Sequence, residues 1–280
     1  MRILGAGDNV VDRYRDLGRL FPGGNALNVA VAAGRAGAQA AYLGTVGTDR
    51  AGDVVLGGLR AEGIDVSRVR IVEGPNAFAD VTLVEGDRVF IGGDVGVSRF
   101  RLDADDLAYA RTVDLVHTGD CSMLEDQVAE LAAATRVSFD FSVHRDPAYL
   151  GPILPHIEIA CFSATELDDE AALGLLADAV ARGPRLALAT RGTAPALLHD
   201  GRRTWRQAVV PTTVVDTLGA GDAFIGRFLV GVVSGEDPTV TLEAAARTAA
   251  ATCGHYGAFG HGSPFAPEFA APGAPASAAS

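Results

Sequence analysis

No lysine occurs anywhere in the 280 residues; all 23 basic side chains are arginine. That absence excludes three mechanisms in their usual form. A Walker-type phosphate loop needs Gly-Lys-Ser/Thr, a protein-kinase fold uses a strand lysine, and a Schiff-base enzyme needs an amine. Positive charge is scarce overall, with a formal net charge of −12. A nucleic-acid binder would present a basic face, so no nucleic-acid partner is expected. There is no apolar run long enough for a membrane span. Met1 leads straight into an apolar strand, without the basic and apolar regions of a secretion signal, so a cytoplasmic location is expected. Cysteine is also sparse. Cys121, Cys161 and Cys253 make neither a CxxC pair nor an even framework and read as buried thiols in a reducing compartment. His117, His144 and His255 show no ligand spacing, so no zinc site is expected.

What the chain does have is apolar content, 48% of residues, enough for one large core. Apolar runs alternate with helical patterns. Strands are expected at 2–7, 41–46, 113–117, 137–141, 158–162 and 186–190, with a strand end at Val214-Val215. Helices are expected at 25–37, 50–62, 123–134, 165–182, 221–233 and 240–256. This rhythm predicts an α/β domain with a largely parallel sheet. Residues 77–93 break it with two strands around Glu85-Gly86-Asp87, a hairpin that is either a lid over a site or an extra edge pair. From residue 264 Pro, Ala and Ser dominate, which predicts a disordered tail over 264–280.

Three glycine-containing stretches stand out. In Gly23-Gly24-Asn25-Ala26-Leu27-Asn28, the glycines let backbone approach a ligand, Asn25 is placed to cap the helix that follows, and Asn28 lies one turn in. A tight turn with a plain cap would look the same. In Gly7-Asp8-Asn9-Val10-Val11-Asp12, acids follow the first strand, on the side where open α/β sheets bind ligands, and suit a polyol. Gly5-x-Gly7 is no dinucleotide fingerprint, because Val10 stands at the third glycine position. In Asp216-Thr-Leu-Gly219-Ala220-Gly221-Asp222, a glycine turn opens a helix. The N–H groups of Gly219, Ala220 and Gly221 are a candidate anion hole for a transferring phosphoryl group. Asp222 is either a helix cap or a base for an attacking hydroxyl. Ser163-Ala-Thr-Glu166 and Thr190-Arg191-Gly192 follow two strands on the same side of the sheet and read either as ligand loops or as simple turns.

Taken together, "GGNALNVAVAAGRAGAQAAYLGTVGTDRAGD" and "VVDTLGAGDAF" closely resemble the ribokinase-like family of carbohydrate kinases, over roughly residues 1–260. The resemblance implies a three-layer α/β/α sandwich with a small β-sheet lid. It implies a kinase domain over 1–263, with the lid drawn from about 11–22 and 76–97. It implies transfer of the ATP γ-phosphoryl to a sugar hydroxyl, with Asp222 as base and Gly219–Asp222 as anion hole. Asp8, Asp12, Gly24, Asn25 and Asn28 fall at or beside the sugar positions, Thr190 and Gly192 at the nucleotide loop, and Glu166 at the acid that organises Mg²⁺ and phosphates. The resemblance also implies ATP and Mg²⁺ as partners, leaves room for a monovalent cation, and allows a homodimer formed through the lid. Within the family, "GDNVVDRY", "PGGNALNVAV", "GDRVFIGGDVGV" and "FDFS" resemble the branch that phosphorylates O6 of fructosyl-amines such as fructoselysine. Three residues depart from the family pattern: Ser163 in place of Asn, Pro195 in place of a second glycine, and Leu218 in place of a threonine near the monovalent-cation site. A fructokinase, ribokinase or nucleoside kinase, and a non-catalytic sugar-binding relative, are the competing expectations.

Overall fold

Small residues on the helices and branched residues on the strands let the two kinds of element pack closely in alternation. In chain order, β1 (Arg2–Ala6) leads to the pair β2 (Val10–Tyr14) and β3 (Arg19–Gly23). Then come α1 (Asn25–Arg35), β4 (Gln39–Gly47), α2 (Arg50–Ala61), β5 (Asp65–Val72), and the hairpin β6 (Phe78–Val84) and β7 (Asp87–Asp94). The middle of the chain gives α3 (Ala104–Ala110), β8 (Leu115–Gly119), α4 (Val128–Ala134), β9 (Val137–Asp140), α5 (Pro147–Leu150) and β10 (Ile159–Ser163). The last part gives α6 (Asp169–Ala181), β11 (Leu186–Thr190), β12 (Ala196–His199), β13 (Thr204–Gln207), α7 (Ala220–Ser234), α8 (Pro238–Thr252) and β14 (Ser263–Pro264). This computed structural model describes residues 1–84 and 87–265, so the tip of the expected hairpin turn and the tail beyond residue 265 lie outside the described residues.

Nine strands form one sheet in the order β13-β12-β11-β10-β9-β8-β1-β4-β5. The pairs from β11 to β5 are parallel, and β12 and β13 add an antiparallel edge. The two-residue period of a strand sorts its side chains between two helix layers. Leu4, Val116, Phe139, Ala160 and Phe162 pack in one core with Val128, Leu131, Leu154 and Leu176. Ile3, Leu115, Ile159, Cys161 and Leu188 pack in the other with Val29, Phe224, Phe228 and Leu242. The second sheet has the order β14-β3-β2-β6-β7. It joins the segments expected at 11–22 and 76–97, with β2 and β6 paired in parallel. Among the described residues no helix is long and apolar enough to cross a membrane.

Several boundaries differ from the sequence expectations. The expected helix 123–134 begins at Val128, because Met123 adopts a left-handed conformation (φ 57°) and two short 3₁₀ turns come first. The expected helix 165–182 begins at Asp169, where the Asp168 carboxylate accepts the Ala171 N–H and sets the start. Val214 and Val215 are exposed and lie in no strand; the Val215 N–H donates to the Cys253 carbonyl instead. Pro264 belongs to β14, and the Phe265 N–H donates to the Gly18 carbonyl, so the first two residues of the expected tail are held against the second sheet.

Candidate active site

Strand order reverses between β1 and β8: β1, β4 and β5 run to one edge, and β8 to β13 run to the other. Ligands of open α/β sheets bind beyond the strand ends at such a switch point. The loop after β1 and the turn after β8 touch there. Ser122 Oγ donates to Asp8 Oδ1 (3.1 Å), and the Asp8 N–H donates back to Ser122 Oγ (3.3 Å).

Asp8 also closes the start of α1. Its Oδ2 accepts the Asn25 N–H at 2.8 Å and its Oδ1 the Ala26 N–H at 3.2 Å. The helix end is thereby capped across the chain, by a residue 17 positions away from Asn25. This corrects the expectation for Asn25, which is the first helical residue and not the cap; the cap position is Gly24. Gly24 has φ 118°, and a Cβ there would strike the backbone of Asn9 and Asp8. Burial raises the Asp8 carboxyl above its ordinary range, against the helix N–H groups and Ser122, which pull it down.

Freed from capping, the Asn25 side chain reaches across the cleft. Its amide nitrogen lies 2.8 Å from Asp140 Oδ2 and 2.8 Å from Asp222 Oδ1. One turn along α1, Asn28 Nδ2 donates to Asp222 Oδ2 at 2.7 Å. Asp222 stands in the first turn of α7, whose cap position is Gly219 in a left-handed conformation (φ 73°). Asp222 is the third residue of α7, two residues past its first helical position. A side chain on Gly219 would collide with Ala258, so the tight turn before α7 requires glycine. Ala220 differs from expectation: its N–H donates to the Thr217 carbonyl (3.2 Å) and so closes the turn. The N-terminal end of α7 still presents first-turn N–H groups and the positive end of the helix dipole.

Asp140 ends β9 and is buried. Burial first, and then the nearby Asp222 charge, pushes its carboxyl up to about 7, while the Ser142 N–H opposes the shift. Asp120, after β8, is likewise raised by burial and stands 3.4 Å from His144. Asp12 lies buried in β2 with its carboxylate directly over Gly23, beside the Gly24 turn.

The other expected residues gather at the ends of β10 and β11. Thr190 faces the mouth of α7; a Cβ on Gly221 would stand 4.0 Å from its Oγ1. Gly192 packs on Thr165, next to the exposed Glu166. Arg191, by contrast, is buried and turned away, bonded to Asp169 Oδ1 (2.6 Å) and the Leu167 carbonyl (2.8 Å). Arg145 reaches the Ser163 carbonyl at 2.7 Å, so the residue that departs from the family pattern fixes an arginine through its backbone. Among the described residues no three His, Cys, Asp or Glu side chains are grouped to cage a metal ion. The exposed Glu166 carboxylate fits Mg²⁺, which keeps several waters and takes one or two carboxylates plus phosphate oxygens.

Sequence reasoning missed Asp140, Ser122 and His117. Asp140 carried a usable signal: a lone acid ending an apolar strand on the ligand side. His117, the last residue of the expected strand 113–117, carried the same positional signal; Ser122 carried none, because its partner Asp8 is 114 residues away along the chain.

Residues 9–264 match the model of the pfkB family of carbohydrate kinases. Fructosamine kinase FrlD of Bacillus subtilis is 42% identical, covering 95% of this chain and 95% of that protein. Fructoselysine 6-kinase of Escherichia coli K12 is 37% identical, covering 90% and 97%. Among solved structures, fructokinase with bound ATP from Xylella fastidiosa superposes with a TM-score of 0.77 at 22% identity, over 92% of this chain and 94% of that one. That likeness establishes a ribokinase-like α/β fold.

Proposed function

The chain belongs to the pfkB family of carbohydrate kinases, and from that premise we propose that it transfers the γ-phosphoryl group of ATP to O6 of a fructosyl-amine such as fructoselysine. The observation that carries the reading is the Asp222 carboxylate at the mouth of α7, held by the amides of Asn25 and Asn28. A base held beside a helix N-terminus brings together the two things phosphoryl transfer asks of a protein, positioning and charge stabilisation. The names of the two curated relatives supply the fructosyl-amine.

In this reading Asp12, Gly24 and Asn28 bind the sugar hydroxyls, and Asp222 receives the O6 proton. A new O6–phosphorus bond forms as the bond from the γ-phosphorus to the bridging oxygen breaks, and the electron pair leaves with ADP. Negative charge on the phosphoryl oxygens is met by first-turn N–H groups of α7. Asp8 supports the site by capping α1, although its sequence position had suggested a sugar contact. Thr190 and Gly192 line the nucleotide phosphates, and Glu166 would hold Mg²⁺. The metal, when bound, neutralises phosphate charge. Leu218 brings no side-chain oxygen to the position related to a monovalent-cation site. The second sheet acts as a lid over the sugar. A homodimer through that sheet belongs to the same reading, with exposed Ile91 on its edge strand β7, as does a cytoplasmic location.

Initial-rate kinetics with Mg-ATP on fructoselysine, fructose, ribose and an aminoimidazole riboside test the proposal. The expected result is a kcat/KM for fructoselysine at least roughly tenfold above the others, about 1.4 kcal/mol of differential transition-state binding. NMR of the product should place phosphate on O6. Equal or better turnover of a plain sugar or the riboside would move the chain to another branch of the family.

A further inference from the structure

The Asn25 amide decides the geometry between two carboxylates, and something must decide the geometry of Asn25. With its NH₂ group facing Asp140 and Asp222, each N–H finds an acceptor. Rotated by half a turn, the amide would set its carbonyl oxygen against two carboxylates and lose both bonds. Behind the amide, Asn25 Oδ1 lies 3.2 Å from His117 Nε2. On the far side of the ring, His117 Nδ1 lies 3.1 Å from Ser138 Oγ.

These contacts admit one consistent assignment of protons. Asn25 Oδ1 is an acceptor, so His117 Nε2 carries the proton and donates. His117 Nδ1 is then an acceptor and receives a hydrogen bond from the Ser138 hydroxyl. His117 is fully buried on β8 and Ser138 fully buried on the adjacent strand β9, with Cys161 Sγ 3.9 Å from the Ser138 hydroxyl. Burial depresses the imidazole to about 3, so it stays neutral through the physiological range. A neutral ring can orient the amide without adding a cation that would weaken the carboxylates as bases.

We propose that His117, held by Ser138 as the neutral Nε2–H tautomer, is a positioning residue that locks the Asn25 amide and through it the relative orientation of Asp140 and Asp222. The catalytic part of this statement rests on the kinase reading above; the tautomer and the amide orientation stand without it. Titratable groups near the pair include Asp8, which caps the same helix end, Asp120, which raises Asp140, and Cys121, whose thiol is raised by burial and by the charges of Asp8, Asp120 and Asp140; Cys161 adjoins Ser138 with its thiol held protonated by burial.

Two measurements test it. The first needs no substrate: ¹⁵N NMR of the imidazole in the wild-type protein at pH 6–8. A neutral ring protonated on Nε2 is expected, and either an Nδ1–H ring or an imidazolium overturns the proposal. The second is kinetic. His117→Phe keeps a planar ring without the donor and should lower kcat roughly 10- to 100-fold, with a much smaller rise in sugar KM. Its acid limb of kcat/KM should move to higher pH, because Asp140 and Asp222 lose their shared, fixed donor. His117→Gln, whose terminal N–H reaches the same region, should recover most of the lost kcat. A folded His117→Phe protein with wild-type kcat and acid limb overturns the proposal. If His117→Phe does not fold, Ser138→Ala decides: a several-fold loss of kcat supports the relay, and an unchanged rate overturns it. A wild-type protein that phosphorylates none of the sugars tried would defeat the kinase reading and leave the NMR result to judge the relay.

Discussion

On the α1 side of the cleft polar side chains hold one another, whereas on the β10–β11 side the backbone carries most of the shape. Asp8, Asn25, Asn28, Asp140 and Asp222 are linked by direct hydrogen bonds at 2.7–3.2 Å. Across the cleft, Thr190 ends β11, Gly192 takes a left-handed conformation (φ 58°), and Glu166 stands exposed. Buried side-chain networks specify one geometry, because each member left unpaired is costly. Backbone N–H groups bind phosphate whatever the neighbouring side chains are. Under the proposed function this difference is a division of labour: a rigid half that distinguishes sugars and places the base, and an adaptable half that takes a common nucleotide.

The sharpest way to break the rigid half is Asp222→Asn. The replacement keeps shape and removes the proton acceptor, so kcat should fall about 10²- to 10⁴-fold, the usual worth of a positioned base. Titrations of sugar and of ATP should show near wild-type affinities. A variant with more than about a third of the wild-type kcat would reduce Asp222 to part of the turn architecture.

Asp12→Ala probes the same half at the lid. Losing a charged acceptor for a buried hydroxyl costs about 1.5–3 kcal/mol, which is roughly 10- to 150-fold in sugar affinity. The sugar KM should rise by that factor while the ATP KM holds. If ATP affinity collapsed and sugar affinity held, the two halves would have to be exchanged.

The contrast between the halves also explains what could be read in advance. Local devices were legible: the glycine turn at Gly219, the Asn25 and Asn28 pair one turn apart, and the hairpin that breaks the α/β rhythm. They rest on backbone conformation and periodicity, which a short stretch of sequence encodes. The side-chain network was mostly not legible. Asn25 meets Asp140 and Asp222 across 115 and 197 residues, and His117 meets Asn25 across 92, so only the folded sheet brings them together. The capping of α1 was misassigned for the same reason, since the acid that performs it comes from the loop after β1. Val214-Val215 failed as a strand because its expected signal, two branched residues, says nothing about a pairing partner. The Val215 N–H is instead satisfied by the Cys253 carbonyl at the end of α8.

The smallest effect is a pH dependence of stability, and it tests how tightly the rigid half is built. Asp140 is buried and its carboxyl is pushed up to about 7, first by burial and then by Asp222. In the unfolded chain an aspartate ionises near 3.9. Between those values the folded protein binds the extra proton, so the stabilisation associated with this group is complete below about pH 4. It is lost progressively as pH rises through about 7. Asp140→Asn keeps an acceptor for Asn25 and removes the ionisation. Its Tm relative to wild type should therefore climb between pH 5 and pH 8, by about 2–4 °C for each kcal/mol of linkage, as for chains of 150–250 residues. Differential scanning calorimetry of both proteins across that range gives the answer. A constant Tm difference from pH 5 to 8 would mean that Asp140 titrates alike in the folded and unfolded chain. The burial of Asp140 would then carry no titration penalty, and the α1 side of the cleft would be electrostatically no more constrained than the side it faces.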